Sequence, residues 1–110
     1  MTNLNENEMK LLYAIIKDEF NDIHQKLDGY KNDDMYSEMV EDMDDYIALL
    51  KLMDEFYSNG PVLEWLDEFP PMGTFKQYIN NQDLEEIVEY TAENEGLEDY
   101  VDGVVKFLKN

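Results

Sequence analysis

The sequence has no cysteine, no arginine and a single histidine, and these absences exclude most catalytic chemistry. Without cysteine, neither a disulfide framework nor a thiolate metal site can form. His24 has no Glu three residues before it, so the helical motif of carboxylate-bridged metal sites is missing. No segment fits a calcium-binding loop, and the five glycines are too scattered to form a phosphate-binding loop. We therefore expect no catalytic residues, no metal, no cofactor and no enzymatic activity.

Long hydrophobic runs are also absent. No stretch approaches the roughly 18 apolar residues that a membrane-spanning helix needs. The first residues lack the basic segment and the following apolar run of a secretory leader. These features predict a cytoplasmic protein that does not associate with membranes.

The chain does contain enough apolar material to fold. Of its 110 residues, 44% are hydrophobic and 13% aromatic, whereas disordered chains are poor in both kinds of residue. Strict alternation of apolar and polar residues is not found, but helical spacing recurs along the chain. We predict an all-α fold, a single irregular bundle of five or six helices spanning residues 1–110.

Two long helices are predicted in the first half of the chain. The first runs from about Asn7 to Leu27, with the apolar positions Met9, Leu12, Ile16, Phe20, Ile23 and Leu27. The second runs from about Asp33 to Tyr57, with the apolar positions Tyr36, Met39, Val40, Met43, Ile47, Leu50 and Met53. Gly60 and Pro61 follow it and favour a helix end.

Proline and glycine divide the second half. Residues 62–69 have the pattern of a short helix, and the following Pro70, Pro71 and Gly73 predict a loop or hinge. Thr74 is a candidate cap for a short turn through Ile79, and residues 72–79 are the segment most compatible with a strand. Two further helices are predicted on either side of Gly96, from Asp83 to about Asn94 and from Leu97 to Leu108.

The charge of the chain is its most unusual property. Asp and Glu number 27 against eight Lys, giving a formal net charge of -19. Solubility needs a net charge of only about 2 to 8 in a small domain, and a larger excess destabilises a compact fold. Nucleic acid and anionic lipid would be repelled, so we expect no direct nucleic-acid binding and a basic protein as the partner.

The acids form two windows that contain no lysine. In the second helix, Asp34, Glu38, Glu41 and Asp45 lie within roughly 40° of one line on a helical wheel. Nine acids occupy about 33 Å of this helix, roughly one per 3.7 Å, close to the phosphate spacing of about 3.4 Å along one DNA strand. The second window follows Asp83. The predicted partner-binding residues are Asp34, Glu38, Glu41, Asp42, Asp45, Glu85, Glu86, Glu89 and Glu93, and the alternative is that both windows are simply solvated helix faces.

The second half of the long helix is apolar on nearly all sides. Leu49, Leu52 and Phe56 continue the line of the acidic stripe. They belong either to the core or to an exposed apolar anchor beside the acids, and the segment near Trp65, Phe69 and Met72 carries the same two interpretations.

In length, helical content, acidity and scarcity of basic residues, the sequence resembles the DNA-mimic proteins with which phages and mobile elements inhibit restriction enzymes, CRISPR nucleases, glycosylases or nucleoid proteins. These proteins share a strategy and no common fold. The resemblance implies an anti-CRISPR or anti-restriction inhibitor, monomeric or homodimeric, whose carboxylates occupy the basic nucleic-acid channel of its target in a bacterial cell.

Two other functions fit the same composition. An immunity protein or antitoxin that neutralises a basic toxin is also steered to its partner by an acidic surface. A non-enzymatic adaptor bundle would bind through apolar surface and show little dependence on salt.

Overall fold

A computed structural model describes residues 4–27, 29, 31, 32, 34, 36–59 and 70–109, without the side chains of residues 53 and 55–59. Across these ranges the chain is all-α, with five α-helices and no strand, as the sequence predicts. The helices are α1 (Glu6–Leu27), α2 (Tyr36–Asn59), α3 (Pro70–Asn80), α4 (Leu84–Glu95) and α5 (Val101–Lys109), and a 3-10 turn (Glu98–Tyr100) precedes α5. The predicted short helix at residues 62–69 lies outside the described residues.

Helix α1 is the centre of the packing. It contacts α2, α4 and α5, while α3 packs on α2 and α5. Helices α2 and α4 share little or no direct contact, because α1 lies between them. Within the described residues, no helix combines the length and the apolar character needed to cross a membrane.

The buried face of α1 is wider than one helical stripe. Met9, Leu12, Ile16 and Ile23 are buried as predicted, but Phe20 and Leu27 are only half-buried. Leu11 and Ile15, which the stripe does not include, are fully buried, since α1 is covered from several sides. The helix begins with a capping box in which Asn5 N–H donates to Glu8 Oε1 over 3.0 Å and Glu8 N–H donates to Asn5 Oδ1 over 2.7 Å.

Helix α2 is rotated relative to the predicted orientation. Among its described side chains, the buried ones are Met43, Tyr46 and Leu49, a line turned by about 60° from the predicted apolar face. This rotation places Leu49 in the core and leaves Leu52 half-buried against it, so Leu49 is not an exposed anchor. It also brings Asp42, one turn before Tyr46, to the edge of the core. The side chains of Met53 and Phe56 lie outside the described part.

The loop or hinge predicted at Pro70–Gly73 is wrong, as are the Thr74 cap and the strand tendency of residues 72–79. All of these residues belong to α3. Proline is compatible with the first turn of a helix, where its missing N–H would have no intrahelical acceptor. Burial of Met72, Phe75 and Ile79, at helical spacing, then stabilises the helix. Met72 is a core residue, whereas Trp65 and Phe69 lie outside the described residues.

The bounds of α4 follow its caps. Asp83 accepts a hydrogen bond from the backbone N–H of Glu86, and Gly96 ends the helix in the left-handed conformation with φ of 69°. The last helix begins at Val101, later than the predicted Leu97, because the 3-10 turn occupies the intervening residues. Gly103 of α5 lies against Glu8, where a Cβ would overlap the Glu8 carboxylate.

Candidate functional site

The nine predicted partner-binding residues lie on two sides of α1. On the α2 side, Asp34, Glu38 and Glu41 are exposed, whereas Asp42 and Asp45 are half-buried. On α4, all four predicted acids, Glu85, Glu86, Glu89 and Glu93, are exposed. Since α1 separates α2 from α4, the two windows do not form one surface by direct contact between their helices.

The structure instead brings acids of α4 and acids of α1 to the same groove. A groove between these helices, with a volume of about 710 Å³, is lined by six carboxylates. They are Asp18, Glu19 and Asp22 on α1 and Glu86, Glu89 and Glu93 on α4. The α1 residues are absent from the predicted site because Lys17 and Lys26 flank them, so no lysine-free window marks them in the sequence.

Lysines neutralise little of this groove. Lys26 Nζ lies 3.0 Å from Asp22 Oδ2, and among the described residues this is the one ion pair that a groove carboxylate makes. Glu85, which does not line the groove, is paired with Lys109 at 2.7 Å. The groove therefore concentrates negative charge between two helices, a geometry that focuses the electric field toward an approaching cation.

Acids on α1, α2 and α4 have a raised pKa, and the main cause differs among them. Burial and then the charge of Glu95 raise the pKa of Asp18, although a hydrogen bond with Thr91 opposes the change. The pKa of Glu86 is also raised, first by a side-chain hydrogen bond with Asp83 and then by the Asp83 charge. The pKa of Asp42 on α2 is raised by burial and then by the neighbouring acids of its own helix.

A group of tyrosines connects the groove to α2. The Tyr78 hydroxyl of α3 donates to Glu19 Oε2 over 3.3 Å, and the Tyr78 ring centroid lies 5.9 Å from that of Tyr46 on α2. Burial and the Glu19 charge raise the pKa of Tyr78 to about 12. Burial is the main cause that raises the pKa of Glu19. Tyr46 is one helical turn from Asp42 on α2, so the Glu19–Tyr78 contact lies close to the half-buried acid of that helix.

Tyr90 gives the groove an apolar component. Tyr90 is 65% exposed, and among the described residues it is the one large hydrophobic side chain that is exposed to solvent. It lines the groove beside Ile87 and lies one helical turn from Glu86. A large aromatic ring among exposed carboxylates is suited to contact a protein surface.

Other features of the described residues carry less chemistry. His24 is exposed and stacks on Phe20, with ring centroids 6.0 Å apart. No group of three or more His, Asp or Glu side chains in the described part converges to hold a metal ion.

Comparisons with known proteins provide no further identification. No protein-family model, no curated protein and no solved structure matches the chain.

Proposed function

We propose that the protein is a nucleic-acid-mimicking inhibitor of a basic DNA-binding protein, of the anti-CRISPR or anti-restriction type. The observation that supports this most strongly is the groove between α1 and α4, which six carboxylates line and where one described lysine pairs with them. Its target is a nuclease or another protein with a lysine- and arginine-lined channel, and the site of action is the bacterial cytoplasm.

The spacing of the carboxylates supports the proposal. Along α4, the steps from Glu86 to Glu89 and Glu93 are about 4.5 Å and 6 Å of helix rise, and the step from Asp18 to Asp22 on α1 is about 6 Å. Phosphates follow one another at about 3.4 Å along a DNA strand, so the two rows are somewhat sparser than DNA but run on two helices, as phosphates run on two strands. Basic side chains that bind phosphates also bind carboxylates, in part through bidentate contacts of arginine.

A DNA-competition experiment tests the function. The protein, immobilised through a tag, is incubated with bacterial lysate at low salt, and bound proteins are eluted with excess duplex DNA. Retained DNA-binding proteins that DNA releases support mimicry, because one channel then binds both ligands. If DNA releases none of the retained proteins, the proposal is wrong. Specific retention of one small basic toxin would instead support an immunity function.

Two matched variants assign the site. The groove variant carries Glu86→Gln, Glu89→Gln and Glu93→Gln, and the control variant carries Glu98→Gln, Asp99→Asn and Asp102→Asn. Both remove three charges from exposed positions, but none of the control residues lines the groove. We expect the groove variant to release the captured protein at lower salt than the control. Equal elution of the two variants would exclude the groove as the binding site.

A further inference from the structure

The hydroxyl of Tyr46 is a buried polar group without a partner. Tyr46 is fully buried on α2, and its ring meets Phe75 edge to face at a centroid distance of 5.7 Å. The hydroxyl makes no hydrogen bond with any of the described residues. Buried polar groups are nearly always paired in native proteins, so an unpaired one indicates a ligand, a bound water or a change on binding. A phenylalanine would fill the same space without this cost.

The surroundings of the hydroxyl are anionic and come from three helices. Asp42 lies one turn before Tyr46 on α2, on the same face. The Tyr78 hydroxyl of α3 donates a hydrogen bond to Glu19 of α1 over 3.3 Å, and the Tyr78 ring packs on the Tyr46 ring. Glu19 is therefore connected to Tyr46 through Tyr78. Burial is the main cause that raises the pKa of the Tyr46 hydroxyl, and the charges of Asp42, Tyr78, Glu19 and Asp45 add to it in that order. The junction of α1, α2 and α3 thus combines a buried hydroxyl with two half-buried carboxylates.

The chain supplies little positive charge to this junction. Neither Glu19 nor Asp42 lies within ion-pair distance of a lysine among the described residues. The charge of Lys26 lowers the pKa of Glu19, against the larger effect of burial, and the Lys26 ammonium group is paired with Asp22. The two half-buried carboxylates are therefore available to a cation from outside.

We propose that the junction of Glu19, Asp42 and Tyr46 receives the guanidinium group of one arginine side chain of the bound partner. The proposal rests on the proposed function, since it assumes a basic partner, and it identifies where one cationic side chain of that partner is held. A phenol oxygen accepts a hydrogen bond while its O–H donates, so Tyr46 can bind an N–H and a carboxylate together.

The chemistry of the junction favours arginine over lysine. A guanidinium group offers five donors in one plane, enough for two carboxylates and the phenol oxygen. It is less strongly hydrated than an ammonium group and stacks on aromatic rings such as Tyr78. Glu19 and Asp42 are partly exposed and the hydroxyl is not, so an approaching cation meets the carboxylates before the hydroxyl.

The test uses the full chain with methylguanidinium chloride as the probe. Its aromatic NMR signals are followed during titration, with sodium chloride and butylammonium chloride at equal ionic strength as controls. We expect a saturable shift of the Tyr46 and Tyr78 ring signals with methylguanidinium, and only small linear changes with the controls. A linear response to all three salts would overturn the proposal, and an equal saturable response to butylammonium would overturn the assignment to arginine.

Substitution of Tyr46 separates binding from folding. Tyr46→Phe keeps the ring and removes the hydroxyl, so the melting temperature should stay unchanged or rise while the saturable shift is lost. Glu19→Gln should also weaken the shift. A lower melting temperature for Tyr46→Phe would mean that the hydroxyl is already paired, and retention of the shift would mean that the hydroxyl does not take part; either result contradicts the proposal.

This outcome is separable from that of the proposed function. The groove variant of α4 leaves Glu19, Asp42 and Tyr46 intact, so it should lose partner capture and keep the methylguanidinium shift. If the wild-type protein shows no saturable methylguanidinium shift but captures its partner in a DNA-competed manner, the arginine site alone is refuted. A normal shift without any DNA-competed capture would refute mimicry alone.

Discussion

The two acidic regions of the molecule differ in shape more than in composition. On α2, Glu38 and Glu41 extend from one exposed helix face. On α4, Glu86, Glu89 and Glu93 face the acids of α1 across a groove. Fields from charges on a single convex helix spread into solvent, whereas charges on two facing walls act on the same volume. For binding a basic partner, we therefore rank the groove above the α2 stripe, although the sequence makes the stripe more conspicuous.

The largest expected effect comes from reversing charge in the two regions. Glu89→Lys with Glu93→Lys should weaken binding to a DNA-competed partner by about 100-fold or more, because like charges across an interface cost several kcal/mol. Glu38→Lys with Glu41→Lys changes the net charge equally and should weaken binding by about 10-fold or less through loss of steering. Surface plasmon resonance on the captured partner measures both. The reverse order of effects would place the interface on α2.

Tyr90 tests whether the groove also provides an apolar contact to the partner. Tyr90→Ala should weaken partner binding by about 10-fold, since aromatic anchors dominate many interfaces. Because the side chain is 65% exposed, the free energy of unfolding should change by less than about 0.5 kcal/mol. Titration calorimetry and thermal melting give the two values. Tyr90→Phe is the control and should bind nearly as wild type; if Tyr90→Ala binds equally well, recognition is electrostatic only.

Local signals in the sequence predict most of the fold. Apolar spacing locates α1 and α2, while Asp83 and Gly96 locate the ends of α4. Helix α3 is missed because Pro70, Pro71 and Gly73 are strong local signals for a break, and the burial that outweighs them depends on contacts with other helices. The same limit applies to the rotation of α2, which packing on α1 and α3 determines.

Only one of the two sets of acids in the candidate site can be predicted from the sequence. The acids of α4 form a lysine-free run, which any count of charges detects. Asp18, Glu19 and Asp22 are flanked by Lys17 and Lys26, and Glu19 occupies a position near the core-facing side of α1. That these acids face α4 follows from the packing of the two helices, which no spacing within α1 reveals.

A smaller effect is expected in the dependence of the melting temperature on pH, where a half-buried acid and an exposed acid should contribute differently. Burial raises the pKa of Glu19 above its ordinary value of 4.5, so the folded protein binds this proton more tightly than the unfolded chain does. The associated stability is fully present below about pH 4.5 and is lost as pH rises through the higher folded pKa. The burial-raised pKa values of Asp18 and Asp42 act in the same direction. The melting temperature should therefore be higher at mildly acidic pH than at pH 7.5.

Two single substitutions assign this dependence. Glu19→Gln imitates the protonated carboxyl, so it should raise the melting temperature at neutral pH by about 2 to 5 °C and flatten its dependence on pH. Glu41→Gln removes the same charge from an exposed position of α2 and should change both quantities less. Differential scanning calorimetry at a series of pH values compares the two variants with wild type. Equal curves for both variants would show that the net charge, and not the burial of Glu19, determines the pH dependence.

The smallest expected effect concerns the wall of the groove. Thr91 is buried on α4, and its interaction with the Asp18 carboxyl of α1 lowers the pKa of Asp18. Thr91→Val keeps the shape of the side chain and removes the hydroxyl that interacts with Asp18, which should lower the free energy of unfolding by about 0.5 to 1.5 kcal/mol. Because the loss frees Asp18 to turn toward solvent, partner binding should change by less than about threefold. Urea unfolding and binding measured on the same variant check both values. A large loss of affinity at unchanged stability would show that Asp18 must be held in place to be recognised, and that the groove acts through a fixed arrangement of carboxylates as well as through its total charge.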